Sequence, residues 1–437
     1  MHTCLINPPQ TALWNPLSYP PLGLLYVAAG LEQAGYRDVT LHNQPHRTWA
    51  DQCRELPEAD LYGISATTVC LPVTREIVAW IRRHRPGAKV VVGGIHATVD
   101  SQETLEYTAA DLVVDGEGEY ALPAALADGL SSFDGRIVRA ERIYALDELP
   151  LPARHLLPPE IVRDQSGIHA GEEAHKKRVV KSAVGRAGEN EPATTIVTSR
   201  GCPFRCAFCC KTRTTEGVRY RSPANIVAEL EYLEAAYGIR QFRIVDDAFT
   251  VDRYRAEDFC ERTAGRGWGF TTILRADSLR DLAMVRRLAA GGVHTASFGV
   301  ESGSQAVLDR INKRETIDEI KQAIRWCREA GIVTKVFLIF GLPGETLDTI
   351  EQTKAFFREI RPDSYTLSSF QPLPGSAIYE NPGKYGLTPL YRPGEYEDYW
   401  FYYEPEDDTR GFHFDLPLKL RRARGELIRW LRKGDWK

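Results

Sequence analysis

The chain has no surplus of either charge: 55 lysines and arginines face 59 aspartates and glutamates, a formal net of −4 at neutral pH, mixed along its length. A nucleic-acid binder would show a basic stripe, so no nucleic-acid partner is expected. No apolar run approaches the roughly 18 to 20 residues that span a bilayer, so no membrane is expected either. The opening Met-His-Thr-Cys-Leu-Ile-Asn-Pro-Pro lacks the basic start and apolar core of a secretory signal. A cytoplasmic location is therefore expected. Cysteine is sparse and odd in number, nine in 437 residues, while 43% hydrophobic residues leave ample material for two or three cores. A disulfide framework has no role in such a chain. Cys4, Cys53, Cys70, Cys260 and Cys327 stand alone and read as small buried hydrophobes.

What is present is alternation of strand and helix. Residues 1–125 contain five β-rich runs, Thr3–Asn7, Asp38–His42, Asp60–Ser65, Lys89–Gly93 and Asp111–Val114. Helical runs lie between them, at residues 22–34, 49–56, 73–84 and 101–108. This predicts a doubly wound parallel sheet with ligands at the carboxyl ends of its strands. The rhythm breaks over 126–193, which is rich in proline and then polar, and residues 136–193 read as a linker or lid. Lys176-Lys-Arg within it reads as a solvated turn. From Thr194 six more strand–helix units follow, with strands at Thr194–Ser199, Phe242–Asp246, Phe270–Arg275, Thr295–Val300, Thr334–Phe340 and Ser364–Phe370. Six units are too few for a closed eight-fold barrel and predict an open, partial (β/α)6 barrel over 194–379. Residues 380–437 form an aromatic segment and then a basic amphipathic helix near Leu416–Leu431. The domains expected are thus 1–135, 136–193, 194–379 and 380–437.

One cysteine group departs from the rest. Ser199-Arg-Gly-Cys-Pro-Phe-Arg-Cys-Ala-Phe-Cys-Cys follows the first barrel strand and sets Cys202, Cys206 and Cys209 at C-x3-C-x2-C spacing. Structural zinc wants four closed ligands, and no second Cys or His pair stands at suitable spacing. Three thiolates on one loop suit a 4Fe–4S cubane with one iron left open. Cys210 reads as a buried thiol beside it. The spacing resembles the radical S-adenosylmethionine superfamily, and residues 194–375 follow that pattern unit by unit. The resemblance implies that the nucleotide's methionine part chelates the open iron. It also places Phe208 against the adenine, Asp247 of Val245-Asp246-Asp247 at the second strand's carboxyl edge, and Glu301 and Ser302 of Phe298-Gly-Val-Glu-Ser-Gly-Ser near the ribose and methionine groups. Gly341 of Phe340-Gly-Leu-Pro-Gly-Glu345 falls in the adenine-binding segment.

Phrases in the first 125 residues resemble the cobalamin-binding domain that precedes such barrels in one subclass. They are Asn7-Pro-Pro, Pro20-Pro-Leu-Gly-Leu-Leu-Tyr, Gly63-Ile-Ser-Ala-Thr, Val91-Val-Gly-Gly-Ile-His-Ala-Thr and Asp115-Gly-Glu-Gly-Glu. Ser65, Thr67, Gly93, Gly94 and Thr98 are the strand-end residues that would meet the corrinoid, glycine allowing close backbone approach. The Asp-x-His-x-x-Gly of cobalt-ligating domains is missing, and His42, His46 and His96 read as packing or solvated side chains. The domain therefore either binds cobalamin without a histidine ligand or survives as a cap without it.

The resemblance implies cleavage of S-adenosylmethionine to a 5′-deoxyadenosyl radical and, in a cobalamin-dependent methyltransferase, methylation of an unactivated carbon or phosphorus of a small-molecule substrate. Electrons would come from an external donor such as a flavodoxin or ferredoxin. Cyclisation, rearrangement or transfer of another part of S-adenosylmethionine is the alternative outcome for the same architecture, and a non-catalytic cofactor carrier or redox sensor with a structural cluster is a third reading. The aromatic run Tyr396–Tyr403 with Phe412–Phe414 reads as packing along the barrel's open edge, with the floor of a substrate pocket as the other reading.

Overall fold

The structure, a computed structural model, describes residues 1–9, 20–163, 192–210, 217–391, 396, 414–434 and 436. It divides into two compact units. The first comprises Met1–Val162 with Leu373–Gly375 and the stretch Arg392–Tyr399, of which Tyr396 is described. The Lys176 turn and most of the aromatic run lie outside the described residues, as do residues 10–19 of the stretch between Asn7 and Gly23.

The first unit is a six-stranded parallel sheet. Its strands are β1 Thr3–Asn7, β2 Val39–Asn43, β3 Leu61–Ser65, β4 Lys89–Gly93, β5 Leu112–Asp115 and β6 Arg136–Arg139, in the spatial order β2-β1-β3-β4-β5-β6. Alternate residues serve opposite faces. Cys4, Ile6, Tyr62, Ile64, Val90, Val92 and Val113 pack with Leu71, Ile77, Val78 and Ile81 of the helix Leu71–His84. Leu5, Leu61, Val91, Leu112 and Val114 pack with Leu24, Ala28 and Leu31 of Leu22–Gln33 and with Leu122 and Leu126 of Gly118–Ala127. Both faces are thus buried, as a doubly wound sheet requires. The sixth strand corrects the sequence reading. Residues 136–139 pair in parallel with β5, so the start of the expected linker is sheet, and the first unit continues to Val162. Arg-Ile-Val-Arg is a short, half-exposed edge strand, too brief to show a period.

The second unit begins its barrel with β7 Ala193–Ile196. A small antiparallel ladder, β8 Ser199–Arg200 with β9 Arg219–Tyr220, brackets the cysteine loop. Then come β10 Gln241–Ile244, β11 Gly269–Leu274, β12 Val293–Glu301, β13 Val333–Phe340 and β14 Ser364–Ser369. The six barrel strands lie in strict sequence order, all parallel, as an open curled half-barrel. Helix starts between them are written locally: Ser222, Asp252, Asp281 and Thr316 each accept a hydrogen bond from the backbone N–H three residues on. The outer strand face meets the helices, as Phe259 against Phe270 and Phe357 against Tyr365 show. Helix Leu418–Lys433 follows, matching the basic amphipathic helix expected near the end. Cys4, Cys70, Cys260 and Cys327 are buried as expected, and burial pushes the thiols of Cys260 and Cys327 up to about 12. Among the described residues no helix is long and apolar enough to cross a membrane.

Candidate active site

The cysteine loop is fixed by its backbone. Ala207 N–H donates to the Ile311 carbonyl (2.8 Å), and Ile378 N–H donates back to the Ala207 carbonyl (3.0 Å). The Asn312 side-chain amide donates to the Arg205 carbonyl (2.6 Å), and Cys209 N–H to the Cys206 carbonyl (3.1 Å). Cys202, Cys206, Cys209 and Cys210 are half-buried and none is in a disulfide. Phe208, also half-buried, lies between the last two ligand candidates.

Two cations that sequence reasoning missed stand under this loop. Arg275 follows β11 and places its guanidinium 3.6 Å from the Phe204 ring centroid and 3.9 Å from Cys206 Sγ. Its other nitrogens hold Asp277 (2.8 Å) and the Lys313 carbonyl (2.8 Å). Lys313 is buried, with Nζ 3.4 Å from Glu301 Oε1 and 3.3 Å from Glu315 Oε2. Burial opposes its charge, but Glu301 and Glu315 outweigh that and hold its pKa above the ordinary lysine value. Burial also raises the Cys206 thiol, while Lys313 and Arg275 pull it back toward the thiolate that a metal needs. The signal was available for Arg275, since it ends the one central barrel strand to which no strand-end group was assigned. Lys313 lies in a loop and carried none.

Glu301 ends β12 at a positive φ of 65°, where the register with β13 slips between Gly299 and Glu301. Its carboxylate folds back over Gly299: a Cβ there would sit 2.6 Å from Glu301 Oε1 and 3.2 Å from Lys313 Nζ. The glycine makes room for the ion pair. Burial raises the Glu301 carboxyl, with Lys313 opposing. Ser302 is buried, its N–H on the Val300 carbonyl (2.8 Å) and its Oγ accepting from Ser304 N–H (3.2 Å). Gly341, φ 89°, donates its N–H to Glu345 Oε2 (2.6 Å) at the end of β13, where burial pushes the Glu345 carboxyl up to about 8. The two neighbouring aspartates divide. Asp246 is fully buried, accepting from Thr198 N–H and Ser199 Oγ (2.6 Å each) beside Arg255 (3.9 Å), so it clamps β10 to the chain after β7. Asp247 is half-buried one residue further on.

In the first unit the expected residues gather at the carboxyl ends of β3 and β4. Ser65 pairs with Gly93 in register, and Ala66 N–H bonds the Gly93 carbonyl (2.8 Å). Gly94 has φ 99°, and a Cβ there would meet Ala66 O at 2.7 Å and Ser65 Oγ at 2.9 Å, whereas one on Gly93 would meet nothing closer than Val114 Cβ at 3.8 Å. Thr98 is committed internally, its hydroxyl donating to the Gly94 carbonyl (3.0 Å) and accepting from Gly116 N–H (3.1 Å). Thr67 Oγ1 is buried with no hydrogen-bond partner among the described residues. His96 is wholly buried, with Nδ1 3.1 Å from Thr68 Oγ1 and Nε2 3.3 Å from Glu103, to which Tyr396 also donates (2.9 Å). His42 is buried on Gln52 (2.8 Å). Both histidines are packing residues.

These residues fit the implied groups. Among the described residues no three His, Cys, Asp or Glu side chains converge on a single metal ion. The three cysteines stand on one anchored loop, as the protein ligands of a 4Fe–4S cluster would. The orphaned Thr67 hydroxyl and the open Cα of Gly93 fit a ligand lying over the ends of β3 and β4.

Residues 196–357 match the Radical SAM superfamily and residues 16–126 the B12 binding domain. The anaerobic magnesium-protoporphyrin IX monomethyl ester cyclase of Cereibacter sphaeroides is 30% identical over 381 residues, 83% of this chain; the chain spans only 60% of that relative's length. An uncharacterized methyltransferase of Pyrococcus horikoshii is 28% identical over 83% of this chain and 78% of its own length. Among solved structures, the radical S-adenosylmethionine methyltransferase TsrM of Kitasatospora setae shares the fold, with a TM-score of 0.64 and 22% identity over 90% of this chain and 79% of that one. Residues 196–357 thus carry a radical SAM domain, and residues 16–126 ahead of it a B12 binding domain. The two matches imply a 4Fe–4S cluster, S-adenosylmethionine and cobalamin.

Proposed function

We propose that the protein is a cobalamin-dependent radical methyltransferase, acting in the cytoplasm on an unactivated carbon or phosphorus of a small metabolite with electrons from a flavodoxin- or ferredoxin-type donor. The observation that carries this reading is the pairing, in one chain, of an anchored three-cysteine loop with a doubly wound sheet open at Gly93 and Thr67. When bound, the cluster and S-adenosylmethionine supply the adenosyl radical and the corrinoid supplies the methyl group. The chain's own work is to hold and orient. Cys202, Cys206 and Cys209 anchor the cluster, and Arg275 and Lys313 favour the thiolate of Cys206. Glu301 and Ser302 at the end of β12, Phe208, Asp247 and Gly341 bind the nucleotide, while Ser65, Thr67, Gly93 and Gly94 receive the corrinoid. Thr98 holds the Gly94 turn in shape. No side-chain nucleophile is required.

The test is anaerobic turnover of protein reconstituted with iron, sulfide and hydroxocobalamin. A product about 14 mass units heavier, formed with 5′-deoxyadenosine, supports the reading. The cyclase name of the Cereibacter relative favours one other outcome, ring formation or another radical rearrangement, and 5′-deoxyadenosine with no mass gain would establish that instead.

A further inference from the structure

Inside the half-barrel lies a charge that the radical chemistry does not use. On β13 the even residues Thr334, Val336, Leu338 and Phe340 are almost wholly buried on the helix side, while Val333, Lys335, Phe337 and Ile339 are half-buried. The register sets Tyr365 beside Val336, and Tyr365 meets the helix residue Phe357, so the odd residues point inward. A closed barrel packs that interior solid; here it stays partly accessible, Ile273 of β11 being 40% exposed.

Lys335 has Ser297 of β12 and Ser364 of β14 as register partners, and Phe337 above it has Gly299 and Thr366. Partners in parallel strands point to the same side, so these residues form one patch. The Lys335 ammonium sits 5.1 Å from the Phe337 ring centroid. Among the described residues no carboxylate pairs with it. Burial, and then the like charge of Arg243 from the inner face of β10, hold its pKa down at about 8. Ser364 is 6% exposed, and its Oγ is buried with no hydrogen-bond partner among the described residues. A half-buried ammonium with no carboxylate beside it and a buried hydroxyl without a partner are each costly, and one oxyanion satisfies both.

We propose that Lys335 and Ser364 form the substrate's anion-recognition site: the molecule that enters this barrel carries a carboxylate or phosphoryl group at the end remote from the reacting atom. The proposal rests on the radical-enzyme reading, because it takes the barrel interior as the substrate chamber, but not on methyl transfer. It also sets the polarity of binding, anionic end deep and reactive end toward the Cys202–Cys209 loop.

The test uses the full-length, reconstituted protein at pH 7 with two probes, inorganic phosphate and succinate, followed by calorimetric titration. One equivalent of either probe should bind at millimolar concentration, and the tighter of the two names the group. Lys335→Met should weaken it at least tenfold, Lys335→Arg should retain most of it, and Ser364→Ala should weaken it about threefold. Iron content and substrate-free cleavage of S-adenosylmethionine should be unchanged in all three. Equal binding by wild type and Lys335→Met, or no binding of either probe, overturns the proposal. Should Lys335→Met fail to hold its iron, Lys335→Arg and Ser364→Ala decide: loss of binding in the arginine variant, or none in the alanine variant, overturns it too. Failure of the methyltransferase reading would appear separately, as turnover without mass gain and with probe binding intact.

Discussion

The two six-stranded parallel sheets put their faces to opposite uses. In the first, consecutive residues of β1, such as Cys4, Leu5 and Ile6, are all buried, because helices cover both sides. Its chain runs outward from β1 to β2 and then crosses back to β3, so ligand space is left only at strand ends. The second sheet always steps in one direction, which curls it and keeps helices on one face alone. The first architecture can therefore seat a large group only over its edge residues, whereas the second can enclose a substrate. Curvature, more than composition, decides where chemistry has room.

The largest break in that contrast comes from the cluster loop. Alanine at Cys202, Cys206 or Cys209 should remove essentially all cluster iron and all 5′-deoxyadenosine formation, leaving the first sheet folded, as iron analysis and circular dichroism would show; Cys210→Ala should keep a cluster. Full iron in any of the first three variants ends the assignment.

Next in size is the turn after β4. Gly94→Ala forces a side chain into a positive-φ turn against Ala66, and should cost about 3 kcal/mol in denaturant unfolding. Gly93→Ala has space and should stay within about 0.5 kcal/mol of wild type. Only Gly93 can thus report cleanly on corrinoid loading: a bulky residue there should block it and spare the iron. Equal stability of the two alanine variants would mean that the turn places no demand on residue 94.

A smaller effect is expected at Glu345. Its folded pKa of about 8 lies above the ordinary 4.5, so the folded state holds the extra proton and stability falls as pH rises from 4.5 to 8. With partial solvent access reducing the term, Glu345→Gln should stabilise the protein by about 2 kcal/mol at pH 8 and flatten the slope across that window. Melting curves from pH 5 to 9 with parallel slopes would refute it. The smallest change is at Glu301→Gln, which should weaken S-adenosylmethionine binding roughly tenfold with iron near normal. Unchanged affinity would make Glu301 only a partner for Lys313.

Much of this was legible in the residues. All six barrel strands appear within a few residues of their expected bounds, because β-branched runs alternate with helices whose capping residues are explicit. The cysteine loop was legible for the same reason that it works: its ligands are close in sequence. What escaped was built from distance. Arg275 and Lys313 are brought to Cys206 by two different loops, and no spacing announces that. Asp246 and Asp247 look alike in sequence, yet burial makes one a clamp and leaves the other at the rim. Lys335 is invisible as a motif, since only strand register shows that it points inward.

Tyr396 has a consequence in time. Its hydroxyl meets Glu103 and its ring packs edge-on to buried His96, within a unit made mostly of Met1–Val162. Residues 1–162 must then wait for Tyr396, made later, before the contacts around His96 are complete. A ribosome-stalled chain released after Val162 should accordingly be cut by protease around residues 95–108, and protection there should appear only once Tyr396 has emerged.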